Sequence, residues 1–195
     1  MYPSYLQKYN SRITIPSSFT IDVEGSNSGL VDYEFTITIE KVATASTDSP
    51  VMHVAVTESH IPDSWGGLTE VNYAERLMAP NASGTTLDFS SGNTENITIN
   101  FSVNPEWVNE NMELVIFLQN NSTKEVLQGI KRNLSDFGTS NTNDATVIDL
   151  ITPKTVCIET MIPQIILANY GLDNLTSVSF CVYVNDVATC TLPHW

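Results

Sequence analysis

Residues 112–130, MELVIFLQNNSTKEVLQGI, confine this chain to a β fold, because an apolar run, a polar turn and a second alternating run follow one another without a break. Val115 and Phe117 alternate with Leu114, Ile116 and Leu118, so the first run is apolar on both faces, as a strand at the centre of a sandwich requires. Asn120-Asn121-Ser122-Thr123 supplies the turn chemistry of a hairpin. The same period of two returns at Ile13-Ile15, Phe19-Ile21-Val23, Phe35-Ile37-Ile39, Val54-Val56 and Ile97-Ile99-Phe101. Segments rich in Gly, Ser, Asn, Asp or Pro separate these runs at 25–29, 46–50, 66–67, 81–84 and 90–93, and each is expected to be a turn or loop. Only residues 68–80, where Tyr73, Leu77 and Met78 approach helical spacing, leave room for a turn or two of helix, which Pro80 ends. The pattern predicts an all-β protein built on an antiparallel β-sandwich, immunoglobulin-like or jelly-roll-like.

The most polar uninterrupted stretch, GTSNTNDA at 138–145, marks a domain boundary. It divides a sandwich over residues 11–137 from a second β module over 146–195, with apolar runs at 147–150, 164–168 and 178–184. That module is short of the ~100 residues of a whole immunoglobulin domain, so a partial, truncated one is expected. Met1-Tyr2-Pro3 reads as the start of an excised piece, with no signal core behind it.

Eight Lys and Arg against 22 Asp and Glu give a formal charge of −14, which repels nucleic-acid phosphate and anionic lipid alike. No nucleic-acid partner is expected. No apolar stretch reaches the ~18 residues of a membrane helix, so the sequence shows no membrane-spanning segment. Asp22 with Glu24, or Asp144 with Asp149, are the nearest approach to a cation site. Solvated carboxylates are the simpler reading, and neither a metal nor a cofactor is expected.

All three cysteines, Cys157, Cys181 and Cys190, follow the boundary. If Asn185-Asp186 is a two-residue hairpin turn, Val184 pairs with Val187 and Cys181 faces Cys190 on a non-hydrogen-bonded pair, where cross-strand side chains come closest. This register predicts a Cys181–Cys190 disulfide and hence an oxidising compartment. Three reduced, half-buried thiols are the alternative. The spacings match neither a zinc site nor a C-x-x-C redox pair.

No motif names a reaction. His53, His60 and His194 stand outside the spacings of a zinc protease, and no phosphate loop or nucleophile elbow occurs. Ser59 and His60 are neighbours at the end of a strand, where adjacent side chains point to opposite faces and do not form a nucleophile–base pair. The chain is therefore read as non-enzymatic. Trp65, in a loop after a strand, Tyr73 and Arg76 are the candidate ligand-binding residues, through stacking on a sugar or partner and recognition of a carboxylate. The more ordinary roles are a Trp folded back over the sandwich end and an Arg tethering a loop by an ion pair.

The order of Val54-Ala55-Val56-Thr57-Glu58-Ser59-His60-Ile61, Asn72-Tyr73-Ala74-Glu75-Arg76-Leu77 and residues 113–128 resembles the Omp28-like outer-membrane and surface protein family of Bacteroidota-type bacteria. The resemblance covers about residues 30–135, and residues 153–192 look like the immunoglobulin-like repeats that follow in such proteins. It implies an extracytoplasmic place, at the cell surface, in the outer membrane or secreted, and an adhesion or receptor role. Relatives often carry a thioredoxin-like domain with a C-x-x-C pair; this chain has neither, so no redox role is carried over. The expectation is a surface or secreted domain that binds a protein or glycan, or spaces other domains. An accessory module of a secreted hydrolase, with catalysis outside this chain, is the rival. Edge strands leave a homodimer open.

Overall fold

Alternating side chains decide which face of each strand turns inward. The computed structural model describes residues 3–29, 31–64, 66–151, 164–184 and 187–191. It is mostly strand, all pairings between named strands are antiparallel, and two compact units are present.

The first unit comprises Met1–Ser26 and Val31–Gly138. A helix, α1 (Pro3–Ile13), precedes β1 (Phe19–Ser28), β2 (Asp32–Lys41), β3 (Val51–Glu58), β4 (Ala74–Ala79), β5 (Thr85–Thr86), β6 (Thr94–Ser102), β7 (Met112–Gln119) and β8 (Val126–Asn133). One sheet has the order β1-β2-β6 and the other β4-β3-β7-β8, with β5 also on β3. Phe35, Ile37 and Ile39 of β2 meet Val54 and Val56 of β3 and Leu114, Ile116 and Leu118 of β7 in a single apolar core. The unit is therefore a β-sandwich. Strand β7 lies inside its sheet, as its composition requires: Met112, Leu114, Ile116 and Leu118 are buried, while Val115 and Phe117 are half-buried on the other face. There the Phe117 ring stacks on His53, with centroids 4.9 Å apart.

Three local expectations are corrected. Ile13 does not open a strand but ends α1. Pro3 stands in the first turn, where its missing N–H costs nothing, and Tyr5, Tyr9 and Ile13 recur at helical spacing. Arg12, in the last turn, donates from Nη2 to the Val126 carbonyl at 3.1 Å and pairs with Glu125. Residues 68–80 hold no helix. Their last part is β4, antiparallel to β3, with Leu77 and Ala79 turned toward the core. Tyr73, at φ +57°, stands outside any helix. Residues 25–29 are not all turn, since β1 runs on to Ser28. Gly25 serves close approach instead: a Cβ there would lie 2.3 Å from Phe35 Cδ1 and 2.6 Å from the Glu34 carbonyl.

The second unit comprises Asn27–Leu30 and Thr139–Trp195. Strand β9 (Ala145–Ile151) pairs with β10 (Gln164–Asn169), and β11 (Phe180–Val184) with β12 (Val187–Thr191). Thr139 bridges Asn27, and the Asn169 side chain accepts from the Gly171 N–H to shape the turn after β10. In the last hairpin Val184 lies opposite Val187 and Cys181 opposite Cys190, and Cys181 is disulfide-bonded. Cys157 and the turn residues Asn185 and Asp186 lie outside the described residues.

Peptide mapping of non-reduced, alkylated protein is expected to join the Cys181 peptide to that of Cys190, and reduction to add two hydrogens to the intact mass. A Cys181 bridge to Cys157 would contradict this pairing.

Candidate functional site

The end of β3 carries a carboxylate where the alternation calls for an apolar side chain. Val54, Val56 and Glu58 share one face, and the Glu58 side chain is only 5% exposed. A buried carboxylate needs a charge partner and hydrogen-bond donors. Arg76 of β4 donates from Nε to Glu58 Oε2 at 2.8 Å, and the Val108 N–H donates to Oε1 at 3.1 Å. The Arg76 guanidinium also lies over the Trp107 ring, 5.4 Å from its centroid, a cation–π placement that fixes its plane. Glu58, Arg76 and Trp107 together form the floor under the connection from β3 to β4.

That connection, residues 59–73, is closed at its neck. Ile61 and Val71 exchange both backbone hydrogen bonds, at 3.0 and 2.9 Å. The Ser59 N–H donates to the Asn111 carbonyl, and the Tyr73 N–H to Ser59 Oγ at 3.1 Å. The His60 N–H donates to Asn72 Oδ1 at 2.9 Å, Asn72 Nδ2 donates to Glu70 Oε1 at 3.0 Å, and His60 Nδ1 stands 3.2 Å from Glu70 Oε2. The hydrogen bond from Asn72 first, then that with His60, holds the Glu70 carboxyl below the usual glutamate range. His60 and Tyr73, on the two sides of the neck, both take φ +57°, a left-handed conformation uncommon for residues with a Cβ. Gly66 and Gly67, at φ +60° and +86°, turn the chain between them.

Of the three candidate ligand residues, Tyr73 is 69% exposed at this neck. It is close enough to Lys131 to contribute to that group's environment. Lys131 is raised above the usual lysine range first by its hydrogen bond to Glu113, then by that carboxylate's charge, with Tyr73 adding least. Arg76 is three residues on, engaged below the loop by Glu58 and Trp107, and it orders the floor rather than projecting freely. Trp65 lies outside the described residues. Ser59 and His60 both fall in the loop rather than on β3, with Ser59 Oγ committed to Tyr73 and the His60 ring to Glu70.

Sequence reasoning did not identify Glu58, Asn72 and Trp107 as the scaffold of this loop. One signal was present, since Glu58 stands two residues beyond Val56 on an otherwise buried face. Elsewhere, His53 Nδ1 is buried without a hydrogen-bond partner among the described residues, and burial, then the charge of Lys124, lowers the pKa of the ring. Among the described residues no three His, Cys, Asp or Glu side chains gather as metal ligands. A hollow of about 150 Å³ beside Arg12, Ile15, Ser17 and Leu127 is smaller than the roughly 300 Å³ at which small-molecule sites begin, and two larger ones, about 390 Å³ beside Lys41, Val42 and Asn93 and about 360 Å³ beside Arg12, Val126 and Gly129, are shallow and open to solvent.

Glu58→Ala removes a charge-assisted bond, orphans the Val108 N–H and leaves Arg76 without its anion, and is expected to cost about 2–3 kcal/mol in urea unfolding. Tyr73→Ala, at an exposed position, is expected to change stability by less than about 0.5 kcal/mol. Equal costs for the two variants would contradict the assignment of floor and display.

No protein-family model and no curated protein matches this sequence. Among solved structures, HBP35 of Porphyromonas gingivalis is similar with a TM-score of 0.63 at 9% identity, over 97% of this chain and 68% of that one. A domain of the outer membrane lipoprotein Omp28 from the same organism is similar over 60% of this chain and 88% of its own, with a TM-score of 0.45 and 16% identity. The chain thus shares the fold of HBP35.

Proposed function

We propose that this chain is a non-catalytic, extracytoplasmic binding domain, at the cell surface or secreted, whose loop 59–73 contacts a protein or glycan. The carrying observation is Tyr73, an aromatic side chain 69% exposed, held at φ +57° beside a neck closed by hydrogen bonds. An exposed aromatic on ordered backbone loses little conformational freedom on binding, which is how adhesive loops gain affinity. Non-glycine residues kept in the left-handed region cost free energy, and their clustering at this neck favours a functional reason for the loop's shape.

Two further points support the extracytoplasmic part. Cys181 is disulfide-bonded, which fits an oxidising compartment. The resemblance of residues 30–135 to Omp28-like proteins implies a surface location. No helix among the described residues is long and apolar enough to cross a membrane.

Protein and glycan arrays probed with the whole chain test the proposal. Saturable binding is expected, weakened at least tenfold by Tyr73→Ala with the melting temperature unchanged, as for an aromatic hot spot. Trp65→Ala is expected to act in the same direction. Binding indifferent to both substitutions, or silence on every array, would overturn the binding role.

A further inference from the structure

Apart from the two-residue β5, the sandwich has four outer strands among the described residues, and three of them are guarded. An outer strand exposes unpaired N–H and C=O groups, which proteins protect with charge, shortness or a bulge. Strand β1 carries Asp22 and Glu24 on its exposed face. Strand β4 spans six residues, holds Glu75 and Arg76, and carries a register shift against β3 in which Arg76 is the extra residue. Strand β8 holds Lys131 and Arg132, with a register shift against β7.

Strand β6, TENITINFS, is unlike them. It runs for nine residues with an unbroken register against β2 and has one charged side chain, Glu95. Its partnering with β2 is fixed in phase: the Val103 N–H donates to the Val31 carbonyl, and the Lys41 N–H to the Asn93 carbonyl. Odd-numbered residues of β6 therefore bond to β2, and the backbone groups of Asn96, Thr98 and Asn100 turn outward. Their side chains are exposed, and no strand among the described residues pairs with this edge.

We propose that β6 is a self-pairing edge, which takes β6 of a second copy of this chain in antiparallel register about a two-fold axis at Thr98. That register is the one that pairs all nine residues. It sets Thr98 against the second copy's Thr98, and Asn96 against its Asn100, as hydrogen-bonded pairs of uncharged polar side chains on the open face. On the inner face Ile97 meets the second copy's Ile99, and Glu95 meets its Phe101, so no like charges stand opposite each other despite a chain charge of −14. A two-fold contact of one strand with itself closes, giving a dimer rather than a fibre.

Sedimentation velocity of the whole chain over a concentration series tests this, with Thr98→Lys, Thr98→Glu and their equimolar mixture. The wild type is expected to dimerise reversibly. Each charged variant places like charges at the axis and weakens the dimer by roughly tenfold or more, while its exposed side chain leaves the monomer's melting curve unchanged. The mixture sets Lys opposite Glu and is expected to restore dimers. A wild type that stays monomeric throughout, a dimer indifferent to charge at Thr98, or a mixture that does not recover would each overturn the proposal.

Discussion

Everything in the first unit depends on burying one face of β2 against one face of β3 and β7. Tyr33, Phe35, Ile37 and Ile39 oppose Val54, Val56, Leu114, Ile116 and Leu118, and each fully buried aliphatic or Phe side chain stabilises the fold by about 1.5–3 kcal/mol. Because the side-chain period is two, a one-residue slip of β7 would turn Glu113 and Gln119 inward and Leu114 and Ile116 outward. The core therefore fixes register, and register fixes where Glu58 emerges, opposite Met112 of β7 and Ala74 of β4. The loop above inherits its position from that chain of constraints.

The strands that read clearly in the sequence are those whose two faces differ most or whose turn is explicit. The β7–β8 hairpin announced itself through a doubly apolar run and an Asn-Asn-Ser-Thr turn, and Asn120 does cap that turn, accepting from the Ser122 N–H. Strand β4 did not, because its inner face offers only Leu77 and Ala79, while Tyr73 and Leu77 are four apart. A short segment of that kind satisfies helix and strand periods equally, and only pairing with β3 decides. Helix α1 was hidden for another reason: it buries no side chain, so its pattern carried no core signal, and Ile13-Ile15 fitted a period of two by chance. Gly25 looked like a turn residue because composition cannot distinguish a glycine that reverses the chain from one that makes room for Phe35.

The candidate site was legible in its chemistry and not in its architecture. Tyr73 and Arg76 stood out as an aromatic and a cation in an acidic chain, but their different duties depend on a contact eighteen residues back in sequence, Glu58 with Arg76. That pair puts a charge on a buried face, where it contributes less by attraction than by making any other loop position costly. Asn72 and Glu70 are ordinary surface residues in one dimension. In three, they join His60 into a small network that holds the neck shut.

Native-state hydrogen exchange tests most directly whether the loop is built in advance of any ligand. The account predicts that the amides of His60, Ile61, Val71 and Tyr73, which donate to Asn72, Val71, Ile61 and Ser59, exchange far more slowly than an unstructured chain while remaining faster than the core amides of β3 and β7. Exchange of all four at the unprotected rate would show an open, unformed loop and contradict the account.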